Sequence, residues 1–239
     1  MKGTLNQKFA SPSPQKEEQR LATKSTEGTK RRIVRIVKES IPYIVVPVLL
    51  AAAAAVVLGF WYVAAFLFLV AFFMAFFFRD PKRVPPSDPD VVVSPADGKV
   101  TRIGPANSAA DSPTVISIFL SPLDVHINRS PIPGKIVDVL YSPGKFLMAT
   151  NEKASLVNEQ NALTIQGEKI TVVCKQIAGI LARRIVCWKA TGDNLGLGER
   201  FGMIKFSSRT DVLLPANVKV TVREGQHVRG GTTVIGRIS

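Results

Sequence analysis

The sequence predicts a mostly β protein: an N-terminal transmembrane helical hairpin followed by an all-β domain of sandwich or barrel type. Three observations carry this. No charged residue occurs from Ser40 to Phe78. Lys and Arg crowd both flanks of that apolar run. Beyond residue 90 the apolar runs are short, rich in Val, Ile and Thr, and many are separated by Gly, Pro, Asn or Asp, the pattern of short strands joined by turns.

The uncharged run covers 39 positions. As one helix at ~1.5 Å per residue it would reach about 58 Å, against a bilayer core of ~30 Å. Two short spans are therefore favoured, Ile41–Leu58 and Phe60–Phe78. Gly59 lies between them, beside Trp61 and Tyr62, which suit a membrane–water interface. A single tilted span with an interfacial piece is the alternative. A cleaved signal peptide is excluded, because the run is too long and starts too late.

Formal net charge is +13, and residues 1–39 hold ten Lys and Arg against four Glu. Lys30, Arg31, Arg32, Arg35 and Lys38 precede the apolar run, and Arg79, Lys82 and Arg83 follow it. Such flanks are what the cytoplasmic side of a membrane selects. A hairpin returns the chain to its starting side, so the β domain is expected on the cytoplasmic face of the cell membrane, with the lipid bilayer as partner. Nucleic acid is not expected as a partner, since no base-reading motif or aromatic–basic platform accompanies the charge. Composition divides the chain into a basic tail and juxtamembrane segment (1–39), a hairpin (40–78), a Pro-rich linker (79–90) and a β-rich domain (91–239). Residues 1–29 have too little apolar content to bury a core and are expected to be disordered.

Strands are expected at Val91–Val93, Val115–Leu120, Ile136–Tyr141, Ile170–Cys174, Ile185–Trp188, Met203–Phe206, Val212–Leu214, Val218–Val222 and Thr233–Ile238, with a short helix near Met148–Asn158. The tail from Val218 turns at Glu224-Gly225 and again at Gly230-Gly231. That rhythm resembles half of a lipoyl- or biotinyl-type barrel-sandwich domain, without the modified lysine such domains carry at a hairpin tip. Cys174 and Cys187 sit in strand-like runs without metal-ligand spacing, so reduced thiols and no metal are expected.

The segment RFGMIKFSSRTDVLLP, from Arg200 to Pro215, places adjacent serines, Ser207 and Ser208, between an apolar run and a strand. A serine Oγ pressed against the preceding carbonyl carbon can attack its own backbone, and the resulting ester can eliminate to leave a pyruvoyl N-terminus. Three further pieces accompany it in order: FFRDPKRVPP (Phe77–Pro86), SPADGKV (Ser94–Val100) and FLSPLDVHINRSPIPGKI (Phe119–Ile136). Together these pieces resemble the phosphatidylserine decarboxylase proenzymes, in their short bacterial and archaeal branch, over residues from about 35 to 239.

The resemblance implies a pyruvoyl-dependent enzyme that converts phosphatidylserine to phosphatidylethanolamine after cutting itself. By the family's motif the nucleophile and pyruvoyl source is Ser208, with cleavage between Ser207 and Ser208 into chains 1–207 and 208–239 that stay partners. A serine hydroxyl needs a base. His126, one of two histidines in the chain, is the candidate, and it is also the candidate donor of the proton that replaces carbon dioxide. Asp97 would orient His126 in a triad-like arrangement. Asp124, two residues from His126 and on the same side of an extended strand, is a second candidate orienter. Without the resemblance, a histidine beside a strand and an Asp-Gly pair would read as ordinary structural residues. His227 lies in a turn and reads as solvated. Arg129, Lys135, Lys205 and Arg209 are candidates for the lipid phosphate. A homodimer is an open assembly.

Two positions depart from the family. The long branch has a second histidine near the place of Asn128, which the short branch lacks. The residue before the nucleophile should be Gly and is Ser207. A left-handed conformation would cost a serine ~1–2 kcal/mol, slowing cleavage about five- to thirtyfold. A shifted cut at Phe206–Ser207 is a further alternative. The competing reading is an unprocessed homologue that binds anionic phospholipid without catalysis. A membrane-tethered export adaptor fits less well, since the charged flanks place the domain on the wrong side.

Overall fold

The computed structural model describes residues 35–57, 59–109, 112–145, 147, 157–179, 184–205 and 208–239. The expected disorder of 1–29, most of the helix expected near Met148–Asn158, and Ser207 lie outside the described residues.

Strand β1 (Arg35–Ile36) leads through a 3-10 turn, Lys38–Ser40, into helix α1 (Ile41–Val56). Helix α2 (Trp61–Phe77) follows, and β2 (Arg79–Asp80) closes the unit. The break between the helices contains Gly59 at φ +67°, a left-handed conformation that glycine adopts without steric cost. The helices pack through small residues: Ala51, Ala54, Ala64 and Ala71 are buried, which lets the backbones approach. Most of their large side chains point outward, including Leu49, Leu50, Phe66, Leu69 and Phe72. β1 and β2 pair antiparallel, Arg35 with Asp80 and Ile36 with Arg79, so both ends of the hairpin lie together. The stretch Lys38–Val56, 19 residues long, is long and apolar enough to cross a membrane. The second helix is equally apolar in character but shorter, at 17 residues.

The rest of the chain is β-structure. Strands β3 (Val91–Val93), β4 (Gly98–Pro105), β5 (Thr114–Leu120), β6 (Ile127–Arg129), β7 (Gly134–Ser142) and β8 (Gln160–Gln166) come first. β9 (Thr171–Ala178), β10 (Ile185–Cys187), β11 (Asn194–Leu195) and β12 (Arg200–Ile204) follow. The chain ends with β13 (Ser208–Leu214), β14 (Val218–Val220), β15 (His227–Val228) and β16 (Val234–Ile238). An eight-stranded curled sheet runs β11-β7-β8-β9-β13-β5-β4-β15 and forms a half-barrel. Two three-stranded sheets, β10-β12-β6 and β14-β16-β3, accompany it. Every ladder between these strands is antiparallel. Bulges between Val100 and Arg102 and between Ile136 and Asp138 interrupt the register, a device that increases twist.

Alternation fills the core. Ile116, Ile118 and Leu120 of β5, Val172 and Cys174 of β9, and Val212 and Leu214 of β13 point to one face and are buried. A second apolar cluster joins the helices to the β domain. Phe77 and Phe78 pack there with Val125, Ile127 and Met203. The 79–90 segment is also bound down, by ion pairs from Asp80 and Arg83.

Candidate active site

Ser208 opens β13, the interior strand between β5 and β9, in register with Leu120 on one side and Ala178 on the other. Its side chain shares the core face with Thr210, Val212 and Leu214. The residue is fully buried, and among the described residues its Oγ has no hydrogen-bond partner. A buried hydroxyl without a partner is costly and rare. β13 therefore begins on a hydroxyl that the surrounding fold leaves unused.

His126 ends the loop that follows β5 and leads directly into β6. It is 1% exposed, and the ring of Phe77 lies 4.2 Å from its own, tilted by 36°. Its Nδ1 lies 2.9 Å from the backbone carbonyl of Asp124. A carbonyl only accepts, so Nδ1 carries the proton and Nε2 keeps its lone pair. Nε2 is buried and has no hydrogen-bond partner among the described residues. Burial pulls the His126 pKa down to about 4, against the opposing Asp124 carbonyl. The imidazole is thus neutral at physiological pH, in the tautomer a base requires.

The candidate orienters are placed differently from their expected roles. Asp124 lies in a turn rather than a strand, and its Oδ2 accepts hydrogen bonds from Ser121 N (2.8 Å) and Ser121 Oγ (2.7 Å). It meets His126 through its main chain, so the expected same-side strand geometry does not occur. Asp97 immediately precedes Gly98, which is packed against the backbone of Phe119 with no room for a Cβ. The Asp97 carboxylate accepts from Arg83 Nη2 (2.6 Å) and from Gly230 N (2.7 Å). Burial raises its pKa, and Arg83 opposes that rise. The structure does not bring Asp97 into hydrogen-bond contact with His126.

Several residues take parts here that the sequence does not assign to them. Phe77 enters the sequence reading as membrane apolarity and as the first residue of the Phe77–Pro86 piece, with no part assigned at the site, yet it covers His126. Arg79 donates to the carbonyl of Leu123 at 2.7 Å, fastening the helix end to the His126 loop. On the core face Asn128 Nδ2 donates to Thr210 Oγ1 (2.9 Å), Gln176 Nε2 to Asn128 Oδ1 (2.9 Å), and Asn161 Nδ2 to Gln176 Oε1 (3.1 Å). This buried relay ends two residues from Ser208 along β13. The Asn128 position, noted only as a departure from the long branch, is its hub.

The four cations considered for phosphate divide clearly. Arg129 is buried and bound to Asp80, Pro81 and Gly198. Arg209 is clamped by Asp211 and Ser117. Lys135 is exposed on β7. Lys205 is buried three residues before Ser208, its Nζ 4.9 Å from the centre of the Tyr43 ring. Both cysteines are free, and burial raises the pKa of each. Among the described residues no group of His, Cys, Asp and Glu is arranged to hold a metal ion.

An antiparallel β domain packed against the end of an apolar helix pair, with a buried histidine beside that helix end and a buried serine hydroxyl at the head of an interior strand, is the build of a β-sheet enzyme. A sequence profile described as phosphatidylserine decarboxylase matches residues 70–236. A phosphatidylserine decarboxylase proenzyme of Solibacter usitatus (strain Ellin6076) is 51% identical over 171 residues, covering 72% of this chain and 81% of its own length. Another of that name, from Geobacter metallireducens (strain ATCC 53774 / DSM 7210 / GS-15), is 42% identical over 208 residues, covering 84% and 95%. A third, from Geotalea uraniireducens (strain Rf4), is 48% identical over 179 residues. The chain belongs to the phosphatidylserine decarboxylase family and is an enzyme of that family.

Proposed function

We propose that this chain removes the serine carboxylate of phosphatidylserine to give phosphatidylethanolamine, using a pyruvoyl group made from its own Ser208. The observation that carries the reading is the pair of buried, unpartnered atoms, Ser208 Oγ and His126 Nε2, in a member of this family. A group derived from a serine fits a buried hydroxyl that no neighbour occupies. Once formed, the ketone supplies an electron sink for the departing carboxylate's electrons.

The chain's own residues do the rest. His126 Nε2 accepts the Ser208 proton as Oγ attacks the carbonyl of residue 207. The Asp124 carbonyl holds the tautomer throughout, as a carboxylate does in a triad. During turnover the same imidazole, having taken up a proton, returns it to the carbon that carbon dioxide leaves. Asp97 acts at a distance from the ring. It ties Arg83 of the membrane-exit segment to Gly230 of the C-terminal fragment and so holds the two products of cleavage in register. The apolar helices act as a bilayer anchor, with both basic flanks and the β domain on the cytoplasmic side.

Denaturing electrophoresis and an intact mass of the small fragment test this. Two chains are expected, with a blocked N-terminus at residue 208. The fragment's mass should rise by one phosphatidylethanolamine-type adduct after cyanoborohydride with lipid. Ser208→Ala should remain one chain. A single uncut wild-type chain from native membrane, still binding anionic vesicles, would overturn the proposal in favour of the binding-only homologue. Ser207, in place of the expected Gly, is the feature that favours that second reading.

A further inference from the structure

Lys205 is 8% exposed, yet among the described residues no carboxylate lies within ion-pair distance of it. Its ammonium has an aromatic face, Tyr43, and an open cleft of about 510 Å³ lying between the start of α1 and β10. Arg184 lines the same cleft, exposed and likewise without an ion-pair partner among the described residues. Glu39, the one carboxylate in the lining, accepts the Trp188 indole N–H at 2.8 Å. Two cations therefore face one engaged carboxylate. Burying an ammonium without a counter-ion is unfavourable, and an incoming anion offsets that cost. The basic cleft around Asp80 differs: of its cations Arg129 and Arg200 are already paired with Asp80 and Arg83 with Asp97, and the remaining one, Lys82, is exposed.

Position narrows the anion. Lys205 lies three residues before Ser208 on the chain that leads into β13. Glu39, Pro42 and Tyr43 stand where the apolar helix meets its charged flank, the level at which phosphate groups of a bilayer lie if α1 enters it. We infer that Lys205 and Arg184 form a subsite for a phosphodiester monoanion, the linkage that joins a lipid's glycerol to its headgroup. This rests on the proposed decarboxylation and assigns the part of the substrate that the catalytic pair does not touch.

Titration calorimetry on the full chain in detergent, with glycerophosphoethanolamine as the tail-free probe, reads the subsite without requiring turnover. Wild type should bind the diester. Lys205→Gln and Arg184→Gln should each weaken it about tenfold, the loss of one charge-assisted contact, and Lys205→Arg should stay within about threefold. In vesicles of phosphatidylcholine and phosphatidylserine, Arg184→Gln should raise KM by a similar factor with kcat little changed. Equal binding by wild type and both Gln variants would overturn the inference. So would inorganic phosphate binding as tightly as the diester, which would make this a free-phosphate site. If Lys205→Gln remains uncut, Arg184→Gln and Lys205→Arg carry the comparison. A wild type that binds the diester through these residues but never decarboxylates would sink the reaction and leave the subsite standing.

Discussion

The aromatic ring of Phe77, the last residue of α2, lies 4.2 Å from the imidazole of His126. The C-terminal end of an apolar helix thus forms one wall around the candidate base. Burial is the first cause of that base's low pKa of about 4. Phe77→Ala admits water and lets the pKa climb toward its ordinary value of about 6.5. A base must be unprotonated to work, so self-cleavage by the variant should fall about tenfold at pH 5.5 and recover by pH 8. Wild-type cleavage should be flat across that range. A pH series of fragment appearance checks this, and parallel profiles would refute it.

The same burial makes stability depend on pH. Between pH 6.5 and about 4 the unfolded chain binds a proton at His126 that the folded chain does not. Folding stability should therefore fall by about 3 kcal/mol as pH drops through that window, and this contribution should be flat above and below it. Denaturant titrations of wild type and His126→Gln at several pH values isolate the difference. Equal pH slopes for the two proteins would contradict it.

Restoring glycine before the nucleophile should help. If cleavage requires a left-handed backbone at position 207, Ser207→Gly lifts a cost of ~1–2 kcal/mol and should speed cleavage about five- to thirtyfold. Time courses of cell-free synthesis into vesicles, resolved on denaturing gels, measure it. An unchanged rate would mean that the backbone at 207 needs no such conformation.

Arg209 and Asp211 form a two-point ion pair at 2.6 and 2.9 Å, both nearly inaccessible. Removing one partner strands a buried charge. Arg209→Met or Asp211→Leu alone should cost about 3–5 kcal/mol, and the double variant less than either single one. Denaturation midpoints settle the order, and simple additivity would refute the coupling.

The helices and nine of the strand cores are legible in the chain because each has a local signature, and a motif singles out Ser208, the buried serine at the head of β13. An uncharged run, alternating Val and Ile, and a motif are all linear. β8 was missed because QNALTIQ is polar, and β4 because GKVTRIGP mixes charges and glycines, although both lie inside the curled sheet. The partners of the candidate catalytic groups are illegible for another reason. Asp97 meets Gly230 across 133 residues, and Gln176 meets Asn128 across 48. Nothing in local spacing announces such meetings. The expectation that Asp97 orients His126 came from a motif, whereas the structure gives that carboxylate to Arg83 and the Gly230 amide.

After cleavage, fragment 208–239 should remain seated. β13 is hydrogen-bonded on both flanks, β15 pairs with β4 and β16 with β3. Under native conditions the two chains should co-elute, and only denaturant should part them. Spontaneous release of the small chain in mild detergent would contradict this pairing.

That flanking also bears on how precursor and mature form differ. If the chain is cut at the head of this interior strand, the covalent count changes while the pairing on both flanks holds the silhouette. Quality control that inspects shape would pass both forms equally, so uncut precursor would accumulate beside working enzyme without being flagged. The speed of the chemistry at residue 208, rather than any folding checkpoint, would then set how much active protein a membrane holds.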